Sequence, residues 1–456
     1  MKIVIVGNGK VGHTLAGMLS REGHDIVVID SSSESFRTLE ADHDVIYLQG
    51  SALSYELQKQ AGVGEADVLI AVTSTDEVNV LCCLIARKLG AKNTIARVRD
   101  PEFENQLHIF KNELGLSQSV NPEKNTATEI TRILHNPNAL KIDSFAGGRI
   151  EMVELKISEE CPLAGRKIKD FHIKGLTNFM ICAVERENEV YIPNGDFVVE
   201  SGDKVHVSVE TDKLSMLFRG FKMDIKPLKN ILIVGGGKIS YYLSKMLIEN
   251  HMNVTIIEKN EERCKFLSSQ FDNLKVVFGD ASKESTLADV DFKNTDAFVA
   301  LTNIDEENLV MSLYAGYHKC RKVITKVNRL SYLDAFQGTA IDTVISPKML
   351  VSQEMLKMVR AIAASGESSI RALYKIGDIA LEENSAEALE FEALEDTKYL
   401  GVPLMDLPIK KNILLVCISR KNKTIIPKGA DCIKKGDIVV LVTKDRIINS
   451  LNEIFA

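Results

Sequence analysis

The sequence predicts an α/β chain in which two doubly wound parallel-sheet domains alternate with two small α+β modules. Three observations predict it: an internal repeat in the order N1-C1-N2-C2, short unbroken apolar runs alternating with helical spacing, and a glycine-rich turn at the same place in both halves. Lys2-Ile-Val-Ile-Val-Gly-Asn-Gly-Lys-Val-Gly12 returns as Asn230-Ile-Leu-Ile-Val-Gly-Gly-Gly-Lys-Ile-Ser240. Leu69-Ile-Ala-Val-Thr-Ser-Thr-Asp-Glu-Val-Asn79 returns as Phe298-Val-Ala-Leu-Thr-Asn-Ile-Asp-Glu-Glu-Asn308. The shorter unit is doubled as well: Pro193-Asn194-Gly195 with Gly202-Asp203 matches Pro427-Lys428-Gly429 with Gly436-Asp437.

The elements follow in order. Residues 2–6 form a continuous apolar run, and Val11 to Leu19 has helical spacing. Further short strands are expected at 26–30, 45–48, 68–73 and 95–98, with helical stretches between them. Unbroken apolar strands belong in a parallel sheet covered by helices on both faces. The 231–345 region reads the same way. Pro122 and Pro347 stand just before helical patterns at 124–135 and 348–364 and suit helix starts. The C modules carry alternating strands, Ile150 to Ile157 and Lys204 to Val209, and tight Gly-Asp turns. A linker is expected at 222–229 and a loop at 366–370. The expected division is 1–120 (N1), 121–142 (bridging helix), 143–225 (C1), 228–346 (N2), 347–369 (bridging helix) and 370–453 (C2).

Composition excludes several classes. The chain has 456 residues, enough for about three domains at roughly 150 residues each. At 45% hydrophobic and 26% charged it is ordinary folded material, not a disordered or collagen-like chain. No apolar run approaches the ~18 residues of a spanning helix. The N-terminus enters a strand at once, so no signal peptide is expected. Eight cysteines without a C-x-x-C pair point to a reducing cytosol. A net charge of −7 argues against general nucleic-acid binding.

The chemistry is concentrated in the glycine turns. Gly7-Asn8-Gly9-Lys10-Val11-Gly12 fits G-x-G-x-x-G, follows a strand and opens a helix, which makes N1 Rossmann-like. Gly7 makes the turn, Gly9 admits a phosphate to the backbone, and Gly12 lets helix and strand pack closely. The helix N-terminus offers unpaired N–H groups to that phosphate. Asp30 ends the next strand, where a carboxylate accepts hydrogen bonds from a ribose diol and repels a 2′-phosphate. That favours NAD(H) over NADP(H) but does not separate NAD from ATP, ADP or AMP. In N2, Gly235, Gly236, Gly237, Lys238, Ile239 and Glu258 take the same places, with Ser240 for the third glycine and Lys259 after the acid. Strand-end residues complete the candidates: Thr73, Ser74 and Arg97 in N1, and Thr302 and Lys326 in N2, the cations as phosphate clasps. Asp76-Glu77 and Asp305-Glu306 read as acids complementing a helix dipole.

No H-E-x-x-H, G-x-S-x-G, zinc-spaced Cys/His cluster or Walker motif is present. His13, His43, His108, His135 and His172 have no counterpart in the second half and read as ordinary surface or packing residues. No catalytic residue and no metal ligand is therefore assigned. A nicotinamide-dependent oxidoreductase with duplicated Rossmann halves stays open on the motif alone.

These marks together resemble the cytoplasmic regulatory subunits of potassium channels and transporters built from RCK (KTN) domains. The resemblance rests on Gly7–Gly12 with Asp30, Val72-Thr-Ser-Thr-Asp-Glu77, Ile95-Ala-Arg-Val-Arg99, Val234-Gly-Gly-Gly-Lys-Ile239, Phe278-Gly-Asp-Ala-Ser282, Gln337-Gly-Thr-Ala-Ile-Asp342 and the paired Pro-x-Gly and Gly-Asp turns. It covers nearly the whole chain. It implies RCK C-type folds for the small modules, and nucleotide ligands at Gly7 to Val11, Asp30, Thr73, Ser74 and Arg97, and at Gly235 to Ile239 and Glu258. It also implies a homo-oligomer, dimer or tetramer, forming a ring. That ring would attach to the cytoplasmic face of the inner membrane through an integral-membrane potassium channel or transporter subunit of the TrkH/TrkG type.

Overall fold

A computed structural model describes residues 1–32, 45–101, 103, 106, 115–187, 189–223, 226–283, 286–287, 290, 292–329, 339–363, 370–377, 385–395, 397–421, 423–444 and 448–455. Part of the expected 222–229 linker, the 366–369 stretch, His43, His108 and Gln337 lie outside these.

In N1, strands β1 (Lys2–Val6), β2 (Asp25–Asp30), β3 (Val45–Gln49), β4 (Val68–Ala71), β5 (Asn93–Arg97) and β6 (Gln118–Val120) form one parallel sheet in the order β3-β2-β1-β4-β5-β6. Helices α1 (Lys10–Arg21), α2 (Tyr55–Gln60) and α3 (Asp76–Leu89) connect them. Ile3 to Val6 are fully buried, as a central strand covered on both faces must be. Strand order reverses beside β1, where such sheets open a crevice at their carboxyl ends. Helix α4 (Pro122–His135) begins on its proline, whose missing N–H costs nothing at a first helical position. Asn121 caps it, accepting from Lys124 N at 3.0 Å.

C1 contains β7 (Lys141–Phe145), β8 (Ile150–Lys156), β9 (Arg166–Lys167), β10 (Phe179–Arg186), β11 (Glu189–Tyr191), β12 (Val198–Val199), β13 (Lys204–Glu210) and the short helix α5 (Leu214–Gly220). Its main sheet is antiparallel in the order β11-β10-β13-β8-β7.

N2 repeats the N1 topology with β14 (Asn230–Val234), β15 (Asn253–Glu258), β16 (Leu274–Phe278), β17 (Ala297–Ala300), β18 (Lys322–Lys326) and β19 (Thr343–Ile345) in the order β16-β15-β14-β17-β18-β19. Its helices are α6 (Lys238–Glu249), α7 (Glu261–Gln270) and α8 (Asp305–Tyr317), followed by α9 (Pro347–Ala363). C2 repeats C1 with β20 (Ile370–Ile376), β21 (Ala386–Glu392), β22 (Ile413–Arg420), β23 (Lys423–Ile425) and β24 (Ile438–Thr443), ordered β20-β21-β24-β22-β23. Ile370, read from sequence as loop, opens β20.

The Gly-Asp turns explain themselves. Gly202 and Gly436 hold φ of +95° and +80°, and the aspartate after each is buried. Asp203 takes Arg186 in a fork, Nε to Oδ1 at 2.8 Å and Nη2 to Oδ2 at 2.7 Å. Asp437 takes Arg420 at the same two distances.

The chain divides into two compact units that do not follow its linear order. Met1–Thr131 groups with Lys229–Val359, and Arg132–Leu228 with Arg360–Ala456. In the first unit the two Rossmann-like sheets meet: Asn121 Nδ2 donates to the Tyr242 hydroxyl at 2.9 Å, in a buried contact between N1 and α6. In the second, the C modules share one apolar core, with Phe145, Met152 and Cys182 packed beside Tyr374, Val416 and Val440.

Candidate functional site

The site grows from the end of β1. Gly7 N continues the ladder to Ile29 O at 2.8 Å, and the chain then turns at a φ of +100°. A Cβ on Gly7 would stand 2.9 Å from Thr73 N, so the turn admits only glycine. A Cβ on Gly12 would lie 1.9 Å from Gly7 O. Gly9, by contrast, faces open space, with nothing within 4 Å of a Cβ there. It caps α1 without a side chain, leaving the first-turn N–H groups to an anion.

Asp30 is held by backbone. Its Oδ2 accepts Asn8 N at 2.5 Å and its Oδ1 accepts Ser32 N at 2.8 Å. A carboxylate has about four acceptor positions, so two remain for a diol. Glu258 is held alike, Oε2 by Gly236 N at 2.6 Å and Oε1 by Asn260 N at 2.7 Å. Ser240, buried at the helix–strand contact, donates its hydroxyl to Gly235 O.

In N2 these residues bound a cleft of about 670 Å³, within the usual size of small-molecule sites. Gly235, Gly236, Gly237, Glu258 and Thr302 line it, whereas Lys238, Ile239 and Lys326 do not. Arg263 also lines it, a residue the motif gives no reason to single out. Its Nε donates to Gly236 O at 2.5 Å, and its guanidinium lies 4.5 Å from the Phe266 ring centre. Asn260 positions it by capping α7, accepting Arg263 N at 2.9 Å.

The strand-end residues are tied to one another and to neighbouring loops. Arg97 donates to Thr73 O, and Arg99 to Ser74 O. Lys326 is buried, reaches Asn303 Oδ1 at 3.4 Å and feels the charge of Lys10 from the other repeat. The Thr73 hydroxyl proton goes to Asn79 Oδ1 at 2.7 Å. Asn8 in the loop and Val11 in α1 are buried; Lys10 and Ser74 are exposed.

Sequence reasoning missed the clamps beneath the site. Asn79 and Asn308 are fully buried. Asn79 accepts Thr73 N at 2.7 Å and donates to Arg97 O at 2.9 Å. Asn308 does the same to Thr302 N at 2.9 Å and Lys326 O at 3.0 Å. The aligned repeats contained that signal. Asp76 and Asp305 are more than dipole acids. They are buried, and each accepts two backbone N–H groups from the chain leaving the fifth strand, Arg99 and Asp100 or Asn328 and Arg329. Glu123, at the start of α4, is mostly buried. Burial pushes its carboxyl up, against the pull of Arg99, Arg97 and Lys238.

Comparison with known proteins fits this geometry. Residues 3–122 and 231–347 match the TrkA-N domain family, and residues 152–222 and 388–456 the TrkA-C domain family. The Trk system potassium uptake protein TrkA homolog of Archaeoglobus fulgidus is 32% identical over 455 residues, covering 100% of both chains. Among solved structures, the GsuK RCK domain superposes with a TM-score of 0.63 at 19% identity, covering 97% of this chain and 92% of that one. The GsuK channel bound to NAD gives 0.63 at 19% identity over 97% and 76%. At that identity the structural likeness establishes the fold: tandem RCK-type domains. On matched domains and full-length identity together, the chain belongs to the TrkA family of Trk system potassium uptake proteins.

Proposed function

We propose that the chain is a cytoplasmic, nucleotide-binding regulatory subunit of a potassium uptake system. NAD(H), or ATP or ADP, binds the glycine turns at Asp30 and Glu258 and shifts a ring of these chains that gates an integral-membrane TrkH/TrkG-type subunit. One observation carries the reading. Both repeats hold a strand-end carboxylate on backbone amides beside a glycine-opened helix N-terminus. That pairing suits a ribose diol and a phosphate at once. The GsuK channel, a structural neighbour, is described bound to NAD. Gly7 to Gly12 and Gly235 to Ile239 form the two phosphate turns, with Thr73, Ser74, Arg97, Thr302 and Lys326 around them.

A ligand moves an equilibrium only by its differential affinity for the two states. Nucleotide held between a glycine turn and its carboxylate stiffens that edge of the sheet, and α4 and α9 are the chain segments that connect each sheet to the C module following it in sequence. A coupling of about 1–3 kcal/mol suffices for regulation.

Titration calorimetry with NADH, NAD⁺, ATP, ADP and AMP, with and without Mg²⁺, tests this. Saturable binding at two classes of site is expected. Asp30→Ala and Glu258→Ala should each weaken one class by about tenfold or more, the loss of hydrogen bonds to a charged group. Affinity unchanged in both variants would sink the sites. Steady oxidation of NADH over a panel of carbonyl compounds would replace the regulatory reading with the oxidoreductase one.

A further inference from the structure

C1 carries a polar cluster that its repeat lacks. His206 on β13, Glu154 on β8 and Glu185 on β10 bring one nitrogen and two carboxylate oxygens within 4.8 Å of one another. His206 is fully buried. Its Nε2 lies 2.6 Å from Glu185 Oε1, and its Nδ1 lies 3.2 Å from the Tyr374 hydroxyl of C2. Gly377 N donates to Glu185 Oε1 at 3.0 Å. Lys204 Nζ stands between the carboxylates, 3.6 Å from Glu154 and 3.5 Å from Glu185.

The sheet does not require this set in order to form. The two Arg–Asp forks align the modules, and the strand pairing then puts Glu390, Ser419 and Val440 where C1 has Glu154, Glu185 and His206. Ile438 replaces Lys204. The same backbone is built with one carboxylate kept and the imidazole and the second carboxylate gone.

We propose that Glu154, Glu185 and His206 form a site for a divalent transition-metal ion, with Lys204 as the tethered cation that fills it when no metal is bound. The donor set decides the class. An imidazole nitrogen with two carboxylate oxygens suits Zn²⁺ or Mn²⁺ and discriminates against the all-oxygen preference of Ca²⁺ and Mg²⁺. Bonds of about 2.0–2.2 Å set ligand atoms roughly 3.0–3.4 Å apart, so an ion would open the 2.6 Å His206–Glu185 contact and draw in the other ligand atoms, which lie within 4.8 Å of one another. A metal on Nε2 leaves Nδ1–H to donate to the Tyr374 oxygen, the outer partner a ligating histidine ordinarily has. Two carboxylates around one ammonium leave negative charge in a half-buried place, which a divalent ion neutralises. The Lys204 side chain is 44% exposed, so it has a way out. Because Tyr374 belongs to C2, an ion here would tighten the junction of the two C modules.

The test titrates the chelator-stripped full chain with Zn²⁺ and Mn²⁺, with Mg²⁺ and Ca²⁺ as contrasts. One Zn²⁺ per chain is expected. Affinity should fall about tenfold or more in Glu154→Gln, since removing a ligand costs no less than removing an outer partner, and should rise in Lys204→Ala. Glu154→Gln keeps the side-chain shape, and a metal-free thermal melt matching wild type confirms its fold. Zn²⁺ binding that survives both Glu154→Gln and His206→Asn would overturn the proposal. So would absence of binding in wild type and in Lys204→Ala.

Discussion

The two glycine turns solve one problem with different residues. The first uses Asn8 with Asp30 and the second Gly236 with Glu258, and in each the carboxylate accepts the amide of the turn's second residue. Glutamate is one methylene longer and needs room. A Cβ on Gly236 would stand 3.0 Å from Glu258 Oε2 and 2.8 Å from Leu267 Cδ1. Aspartate leaves space for the asparagine. At the helix–strand contact, Gly12 sits against Gly7 O, whereas Ser240 turns the same approach into a hydrogen bond. What persists between the repeats is the pairwise fit. The identity of a single residue does not.

Substitutions can break that comparison or sharpen it. The largest effect is expected at Gly12. Gly12→Val drives carbon into the Gly7 carbonyl and should cost about 3 kcal/mol or more in chemical denaturation. Gly12→Ser should cost less, because the hydroxyl can bond as Ser240 does; equal losses would show that the first turn cannot open as the second has. The asparagine clamps should behave identically. Asn79→Ala and Asn308→Ala each strand buried backbone groups, at a cost of about 3 kcal/mol by the usual penalty for unsatisfied donors and acceptors. A difference above about 1 kcal/mol between them would break the equivalence of the repeats. Gly236→Asn should cost about 2 kcal/mol by overpacking, and adding Glu258→Asp should recover part of it. Simple additivity of the two would refute the traded-length reading.

The smallest effect concerns the bridging helices, where α4 carries Glu123 and α9 carries Lys348 at the matching position after the proline. Burial raises the Glu123 carboxyl and lowers the Lys348 ammonium. For a carboxyl raised above its unfolded value of 4.5, the stabilising contribution is present below that value and is lost as pH rises through the folded one. Glu123→Gln should therefore raise the melting temperature of the ligand-free chain at neutral pH. The gain should vanish below about pH 4.5. A variant less stable than wild type at neutral pH would contradict this.

Much of the architecture was legible because it is written twice. Apolar runs such as Ile3 to Val6 name central strands, and Gly7 to Gly12 with Asp30 names the turn and its acid. The fate of the strand-end cations was not legible. Arg97 and Lys326 align between the repeats, and Arg97 donates to the Thr73 carbonyl while Lys326 reaches the Asn303 side-chain oxygen. Sequence spacing places a side chain at a strand end but does not say where its length carries it. The pairing of N1 with N2 was hidden for the same reason, since Asn121 and Tyr242 are far apart in the chain. His206 belongs to no motif and was not singled out; Val440 stands at its place in the second half, and that lack of a counterpart is what marks it.

The grouping of N1 with N2 and of C1 with C2 changes what selection can reach. Two separate copies of a single repeat would associate at a rate and extent set by their abundance. Joined on one polypeptide, the partners meet at an effective concentration fixed by the tether and independent of expression level. A symmetric assembly must also accept every substitution on both sides. A fused one can keep aspartate on one face and glutamate on the other, or histidine where its twin has valine. Each half is then free to specialise while the other preserves the shared scaffold.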